Sequence, residues 1–384
     1  MTKLRAVTIA HAGKGNAGHA LHRTFTDSAE VEMVALSDPD PAGRAKLSGE
    51  CGARASYADY REMLAREKPD IVVIGRHYYD DARVEQFLAA VQSGAKGVFL
   101  EKPVAAWPDQ AHRMLAAADA KGVAVALAHR SREHPTLHAV KRRADAGEWG
   151  PLMHVKGQGK GDQRTGTVDL LVLGTHVLDA MLFMLGANPV SCWGTVLVDG
   201  RAATRADATE SPTYGAGRMA GNRLTAEYQF PNGVIGTYES LPVGDGAAGT
   251  EYLGADFYFQ QAIVSTRGLP LGEFHVFPRG GIFPQADLGS WLRIPVEGWV
   301  PEPRPVDRKS QAWRDYASAT IAFSNQVIGA ELVQWIRTGA PSPRVSTIQH
   351  GVTIVEMIAG PQRAHLEGRR VDFPLKDRRN PWMD

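Results

Sequence analysis

Ala6-Val7-Thr8-Ile9-Ala10-His11-Ala12-Gly13-Lys14-Gly15-Asn16-Ala17-Gly18 is the stretch that decides the fold. A β-branched run turns into G-x-G-x-x-G, and residues 17–26 follow with apolar positions at helical spacing. The pattern alone is weak, because forty glycines supply roughly 0.4 chance matches in a chain of this length. A second match, Gly244-Asp245-Gly246-Ala247-Ala248-Gly249, lies between two strand-like segments. Only the first follows a strand and opens a predicted helix, where backbone N–H groups and a helix N-terminus can face a pyrophosphate. Gly13, Gly15, Asn16 and Gly18 are therefore the candidate phosphate cradle. Twenty residues beyond Gly18, at the end of the next predicted strand, stands Asp38. A carboxylate there accepts hydrogen bonds from the adenosine ribose hydroxyls and repels a 2′-phosphate, which favours NAD over NADP.

Outward from this motif, the first 130 residues repeat one theme. Strands are predicted at 6–10, 31–36, 70–75, 97–100 and 123–128, with helices at 17–26, 42–50, 57–67, 83–93 and 108–121. The strands are apolar throughout rather than alternating, as in a parallel sheet covered on both faces. From residue 152 the pattern changes to part-exposed strands at 153–157, 190–198, 224–230, 234–241 and 256–266. Pro231-Asn232-Gly233 marks a hairpin between two of them. A helix over 169–185 interrupts the series, with Gly186 placed to cap it. Residues 267–309 are rich in Gly and Pro and read as an irregular excursion. Helices at 311–338 and 346–366 follow, the second interrupted at Gly360-Pro361. The expected architecture is an α/β Rossmann domain, a doubly wound parallel sheet, over residues 1–128. An α+β domain with an open, mainly antiparallel sheet follows over 129–384.

Composition narrows the function. The chain has 384 residues, 43% of them hydrophobic and 22% charged, which argues against wholesale disorder. Its formal charge of +1 lacks the basic excess of a general nucleic-acid binder. Cys51 and Cys192 are too few for a disulfide framework or a zinc-ligand set, and the scattered histidines show no metal spacing, so no metal is expected. No apolar run approaches the roughly 20 residues that cross a bilayer, and the N-terminus shows no signal-peptide pattern. The expectation is a cytoplasmic protein with neither membrane nor nucleic acid as partner.

The fifth predicted strand ends in Glu101-Lys102-Pro103-Val104. With the glycine motif, Leu36-Ser37-Asp38-Pro39, Gly150-Pro151, Gly174-Thr175-His176-Val177-Leu178-Asp179 and the terminal Gly368-Arg369, this resembles the glucose–fructose oxidoreductase / inositol dehydrogenase family. The resemblance implies a Rossmann domain joined to an open-sheet substrate domain. It also implies that Lys102, beside Glu101, meets both the nicotinamide ribose and the substrate hydroxyl. A lysine at that edge would favour alkoxide character as hydride leaves. His176 is the candidate acid/base, since histidine exchanges protons near neutral pH. Asp179 lies three residues on and shares its helical face.

Two departures from the family pattern stand out. Relatives often carry a carboxylate four residues before this histidine, where the chain has Val172; Asp169, seven residues before, is the candidate substitute. Arg76 and His77 occupy the loop after the fourth strand, which lies near the nicotinamide in the family. Arg130, Arg164, Asp169 and Asp179 are candidate substrate contacts. The leading expectation is an NAD-dependent dehydrogenase acting on a secondary hydroxyl of a sugar, glycoside or cyclitol. Alternatives are a glycosidase that uses NAD in transient oxidation at C3, and a non-catalytic NAD-sensing protein. A homodimer or homotetramer is expected, the strand around Phe257-Tyr258-Phe259 reading as too apolar for a solvated sheet face.

Overall fold

Strand and helix alternate through the first 130 residues because each short apolar run must bury both its faces. The computed structural model describes residues 2–14, 17–211, 214–242, 253–269, 273–278, 291–294 and 310–383. Gly15 and Asn16, the second glycine match at 244–249 and most of the Gly/Pro-rich excursion lie outside the described residues. The chain forms two compact units. One gathers Met1–Arg130, Ser211–Gly217 and Arg314–Val352; the other gathers Ser131–Glu210, Arg218–Trp313 and Thr353–Asp384.

In the first unit, strands β1 (Leu4–Ile9), β2 (Val31–Ser37), β3 (Ala55–Tyr57), β4 (Ile71–Ile74), β5 (Gly97–Leu100) and β6 (Ala124–Leu127) run parallel. Among the described residues their order is β6-β5-β4-β1-β2-β3, and Ser346–Thr347 adds an antiparallel edge beside β6. This is a Rossmann-like sheet whose strand order reverses between β1 and β4, the place where doubly wound sheets open a ligand crevice. Strand β3 has no counterpart among the predicted elements, because three part-exposed residues show no periodicity. Every residue of β4, β5 and β6 is buried, which accounts for their unbroken apolar sequence. Aspartates start three flanking helices: Asp40 accepts from the Gly43 N–H, Asp59 from the Arg61 N–H and Asp80 from the Arg83 N–H. Ile328, Leu332, Val333 and Val345 join Ala6, Phe25, Ile71 and Phe99 in one buried cluster, so late residues complete the core of this unit.

One predicted helix is absent. Residues 17–26 do not form a regular helix: Gly18, His19 and Ala20 are left-handed, with φ of 62°, 56° and 62°, and Leu21–Arg23 follows as a single 3-10 turn. Gly18 is confined by its surroundings. A Cβ there would lie 2.8 Å from the Gly75 carbonyl oxygen, so only glycine lets the loop approach the end of β4.

The second unit is built on a mainly antiparallel sheet. Its order among the described residues is Leu292–Arg293, Glu273–Phe277, Ile263–Arg267, Gly254–Phe259, β7 (Leu152–Gln158), Ile235–Ser240, Arg223–Gln229, β8 (Ser191–Val198) and Val371–Asp372, with Arg201–Ala202 beside β8. Pairing of β7 with Ile235–Ser240 is parallel; the other pairings are antiparallel. The expected hairpin at Pro231-Asn232-Gly233 joins Arg223–Gln229 to Ile235–Ser240. The single strand expected over 256–266 is instead two, turning back at Gln260-Gln261. Phe257 and Phe259 are buried, so they belong to the packed face rather than a solvated one. The opposite face is mixed and carries Trp193 and Ile235, both exposed.

Helix Gly166–Leu185 corrects the reading that no apolar run approaches a membrane span. It has 20 residues, and its most apolar 18-residue window, with a mean hydropathy of 1.8, is 83% buried within the protein, as in a core helix. Gly186 caps it in the left-handed conformation, as the sequence suggests. Helix Ile348–Glu367 also departs from expectation, continuing through Pro361 without interruption. The carbonyl that proline cannot serve, that of Met357 four residues earlier, accepts from the buried Tyr228 hydroxyl at 2.8 Å.

Candidate functional site

In the first unit, the predicted residues collect where the strands end. Glu101, just after β5, is wholly buried. One carboxylate oxygen lies 3.2 Å from His19 Nδ1 and 4.0 Å from Lys102 Nζ; the other accepts from Arg130 Nη2 at 3.3 Å. Burial alone would raise its pKa, but Arg130, His19 and Lys102 together hold the carboxyl well below its ordinary range. Arg130 also donates through Nε to Asn325 Oδ1 at 3.0 Å, and Asn325 Nδ2 donates to the His19 carbonyl at 3.0 Å. Asn325 thus links Arg130 to the glycine loop. Arg83 donates to the Glu101 carbonyl from beneath. Lys102 is itself 2% exposed, in a setting crowded with fixed charge.

The loop after β4 brings Arg76 onto Asp80 and turns His77 inward. Burial pushes the His77 imidazole down to about 2, so it is neutral at any working pH. Its ring lies 4.8 Å from that of His19 and 4.7 Å from that of Tyr214, and its Nε2 is buried without a hydrogen-bond partner. The Tyr79 N–H donates to the Tyr214 carbonyl, and Trp107 Nε1 to that of Ala216. His19, His77 and Glu101 offer donor atoms within 4.8 Å of one another. Arg130 and Lys102 already neutralise that carboxylate, so a cation entering there meets two like charges.

Asp38 stands at the end of β2, fully buried, accepting from the Ala12 N–H at 2.7 Å and the Asp40 N–H at 2.9 Å. Each of its oxygens keeps a further lone pair. Gly43 lets Ala12 sit against the helix Pro41–Cys51, since a Cβ there would lie 2.2 Å from that of Ala12. These residues fit a dinucleotide. Asp38 offers acceptors at the second strand, Gly13 and Gly18 present no side chain there, and the orphaned His77 Nε2 calls for a polar partner.

In the second unit, His176 is buried at the second position of Thr175–Leu185, directly after a π-helical turn over Leu170–Gly174. That turn carries one residue more than an α turn, so the seven-residue spacing from Asp169 no longer returns to the same face. Asp169 is instead bonded to Ser240, Tyr238 and the Lys160 N–H. Asp179 forms a buried bidentate pair with Arg132, whose Nε and Nη2 lie 3.0 and 2.9 Å from its oxygens. Arg164 pairs with Asp162. Arg132, Tyr238 and Ser240 were not singled out from the sequence, and neither were His19 and Asn325 in the first unit. Only His19, directly after the glycine motif, had a local signal.

Residues 7–129 match the oxidoreductase family with an NAD-binding Rossmann fold. A curated relative, the 1-carboxy-3-chloro-3,4-dihydroxycyclo hexa-1,5-diene dehydrogenase of Comamonas testosteroni, is 29% identical over 149 residues, covering 38% of this chain and 36% of that protein. The chain thus matches little more than a third of that relative's length. Among solved structures, a levoglucosan dehydrogenase in complex with NADH and levoglucosan superposes with a TM-score of 0.71 at 16% identity, covering 97% of this chain and 100% of that one. An aldose–aldose oxidoreductase from Caulobacter crescentus, complexed with glycerol, gives 0.68 at 18% identity, with 97% and 100% covered. At such identities the likeness is one of fold.

Proposed function

We propose, from the match of residues 7–129 to the oxidoreductase family with an NAD-binding Rossmann fold, that this chain moves hydride between NAD and a secondary hydroxyl of a sugar, glycoside or cyclitol. The observation that carries this reading is Lys102, buried at the carboxyl end of β5 with its charge held by a fixed anion, Glu101. Bound nicotinamide supplies the hydride acceptor. When NAD is bound, Asp38 would hold the adenosine ribose and favour NAD over NADP, Gly13, Gly15, Asn16 and Gly18 would admit the pyrophosphate, and Arg76 and His77 would be the residues of the β4 loop to meet the nicotinamide.

Lys102 presents an ammonium that stabilises the oxygen of the substrate hydroxyl as negative charge develops on it. His176 takes the hydroxyl proton. Arg130 and His19 hold Glu101, and Glu101 holds Lys102, so the ammonium does not reorganise as charge develops. Two sugar-active proteins share the fold at near-full coverage, which supports the substrate class. Exposed Trp193 and Ile235 on the outer sheet face support a homodimer or homotetramer; light scattering that reports a monomer would refute it.

The experiment is absorbance at 340 nm with NAD and a panel of sugars, inositols and aryl glycosides, with aglycone release scored in parallel. NADH produced in step with substrate loss supports the proposal. Aglycone release without NADH overturns it in favour of a redox-neutral glycosidase, and NAD binding with neither signal overturns it in favour of a sensor.

A further inference from the structure

We propose that Asp169 is a positioning residue that pins residues 159–164 in the shape that meets substrate. The proposal rests on the reading above, with Arg164 of that loop as the candidate substrate contact that the sequence offers. Asp169 is completely buried. The Lys160 N–H donates to its carboxylate at 3.1 Å, the Ser240 hydroxyl at 2.7 Å and the Tyr238 hydroxyl at 3.3 Å. Ser240 Oγ in turn accepts from the Gly166 N–H at 3.0 Å. One carboxylate therefore ties the loop to the strand Ile235–Ser240 and, through Ser240, to the start of the long apolar helix. Contact with the loop backbone is so close that a Cβ on Gly159 would lie 1.8 Å from Asp169 Oδ2.

The pinned loop is organised around a second carboxylate. Asp162, 2% exposed, takes Lys160 Nζ at 2.9 Å and Arg164 Nε at 3.1 Å. Lys160 and Arg164 thus converge on one carboxylate, with side chains that keep 19% and 17% of their exposure. Such an arrangement suits an electron-rich polar substrate, provided that the backbone carrying it stays fixed. A carboxylate is a stronger acceptor for the Lys160 N–H than a neutral carboxyl, so protonation of Asp169 loosens the tether. Burial, with Asp162 nearby, raises Asp169 to about 6, against the lowering effect of Ser240, the Lys160 N–H and Tyr238. Those groups face it from the strand and the loop, and Lys160 and Arg164 cover Asp162 in turn.

The test uses the full chain. Hydrogen exchange of the Lys160 amide is measured at pH 7.5 in wild type and Asp169→Asn, and KM and kcat are measured on any substrate found above. The expected result is exchange faster by roughly tenfold in D169N, a comparable rise in KM and a kcat within about twofold. Unchanged exchange overturns the proposal. So does a fall in kcat at constant KM, which would place Asp169 in the chemistry itself. Wild-type KM should rise as pH falls through about 6. Tyr238→Phe removes a donor to the carboxylate and should move that rise to higher pH; an unshifted profile overturns the proposal. Should no substrate be turned over, the function reading fails separately, and the exchange measurement still decides the tether.

Discussion

Lys102 and Asp169 show how differently a buried charge can be treated. Lys102 shares its surroundings with Glu101, whose carboxyl Arg130 and His19 also hold, so the charge is balanced inside a network. Replacing it by methionine should lower turnover by about 10²–10³, the usual loss when one preorganised stabiliser of a developing oxyanion is removed. NADH binding, followed by dihydronicotinamide fluorescence, should persist. Asp169 is surrounded by neutral donors, and the folded protein holds its proton more tightly than the unfolded chain does. Stability contributed by that proton is present below about pH 4 and is lost as pH rises towards 6. The Tm difference between Asp169→Asn and wild type should therefore be more favourable to the variant at pH 7.5 than at pH 4; calorimetry at the two pH values checks it. Lys102 was legible because Glu-Lys-Pro follows a predicted strand. The partners of Asp169 were not, because Tyr238 and Ser240 lie some seventy residues away and meet it only through sheet pairing.

At the scale of elements, the sequence was most informative where burial is uniform. β5 and the helix Pro108–Lys121 carry the bounds expected of them, since a wholly buried strand and a proline-opened helix leave plain marks. It failed where local preference yields to packing. Residues 17–26 have helical spacing yet take a left-handed turn against Gly75. Helix Ile348–Glu367 shows the reverse, a proline tolerated because a tyrosine in another element serves the abandoned carbonyl. Tyr228→Phe leaves the Met357 carbonyl buried and unserved, and should cost about 1–3 kcal/mol. Denaturant unfolding would reveal it as a lower midpoint at unchanged m-value.

Across the whole molecule, acid should act on the first unit well before carboxylates titrate. His11, His19, His22 and His77 are all held below the ordinary histidine range, with burial the largest cause in each. Each binds its proton more tightly once unfolded, so their stabilisation is complete above about pH 6.5 and lost as pH falls below it. Thermal unfolding should shift to lower temperature between pH 7.5 and 5.5, and His77→Phe should shrink that shift; an unchanged difference would refute the account.

The late residues that complete the first core carry a further consequence, one of timing. β1 to β6 leave the ribosome long before Ile328, Leu332, Val333 and Val345, which share their hydrophobic cluster. At 5–20 residues per second, the roughly two hundred intervening residues take about 10–40 s to synthesise. During that interval the nascent sheet waits with part of its apolar surface uncovered, so chaperone occupancy on the growing chain should peak there and fall once residue 345 has emerged.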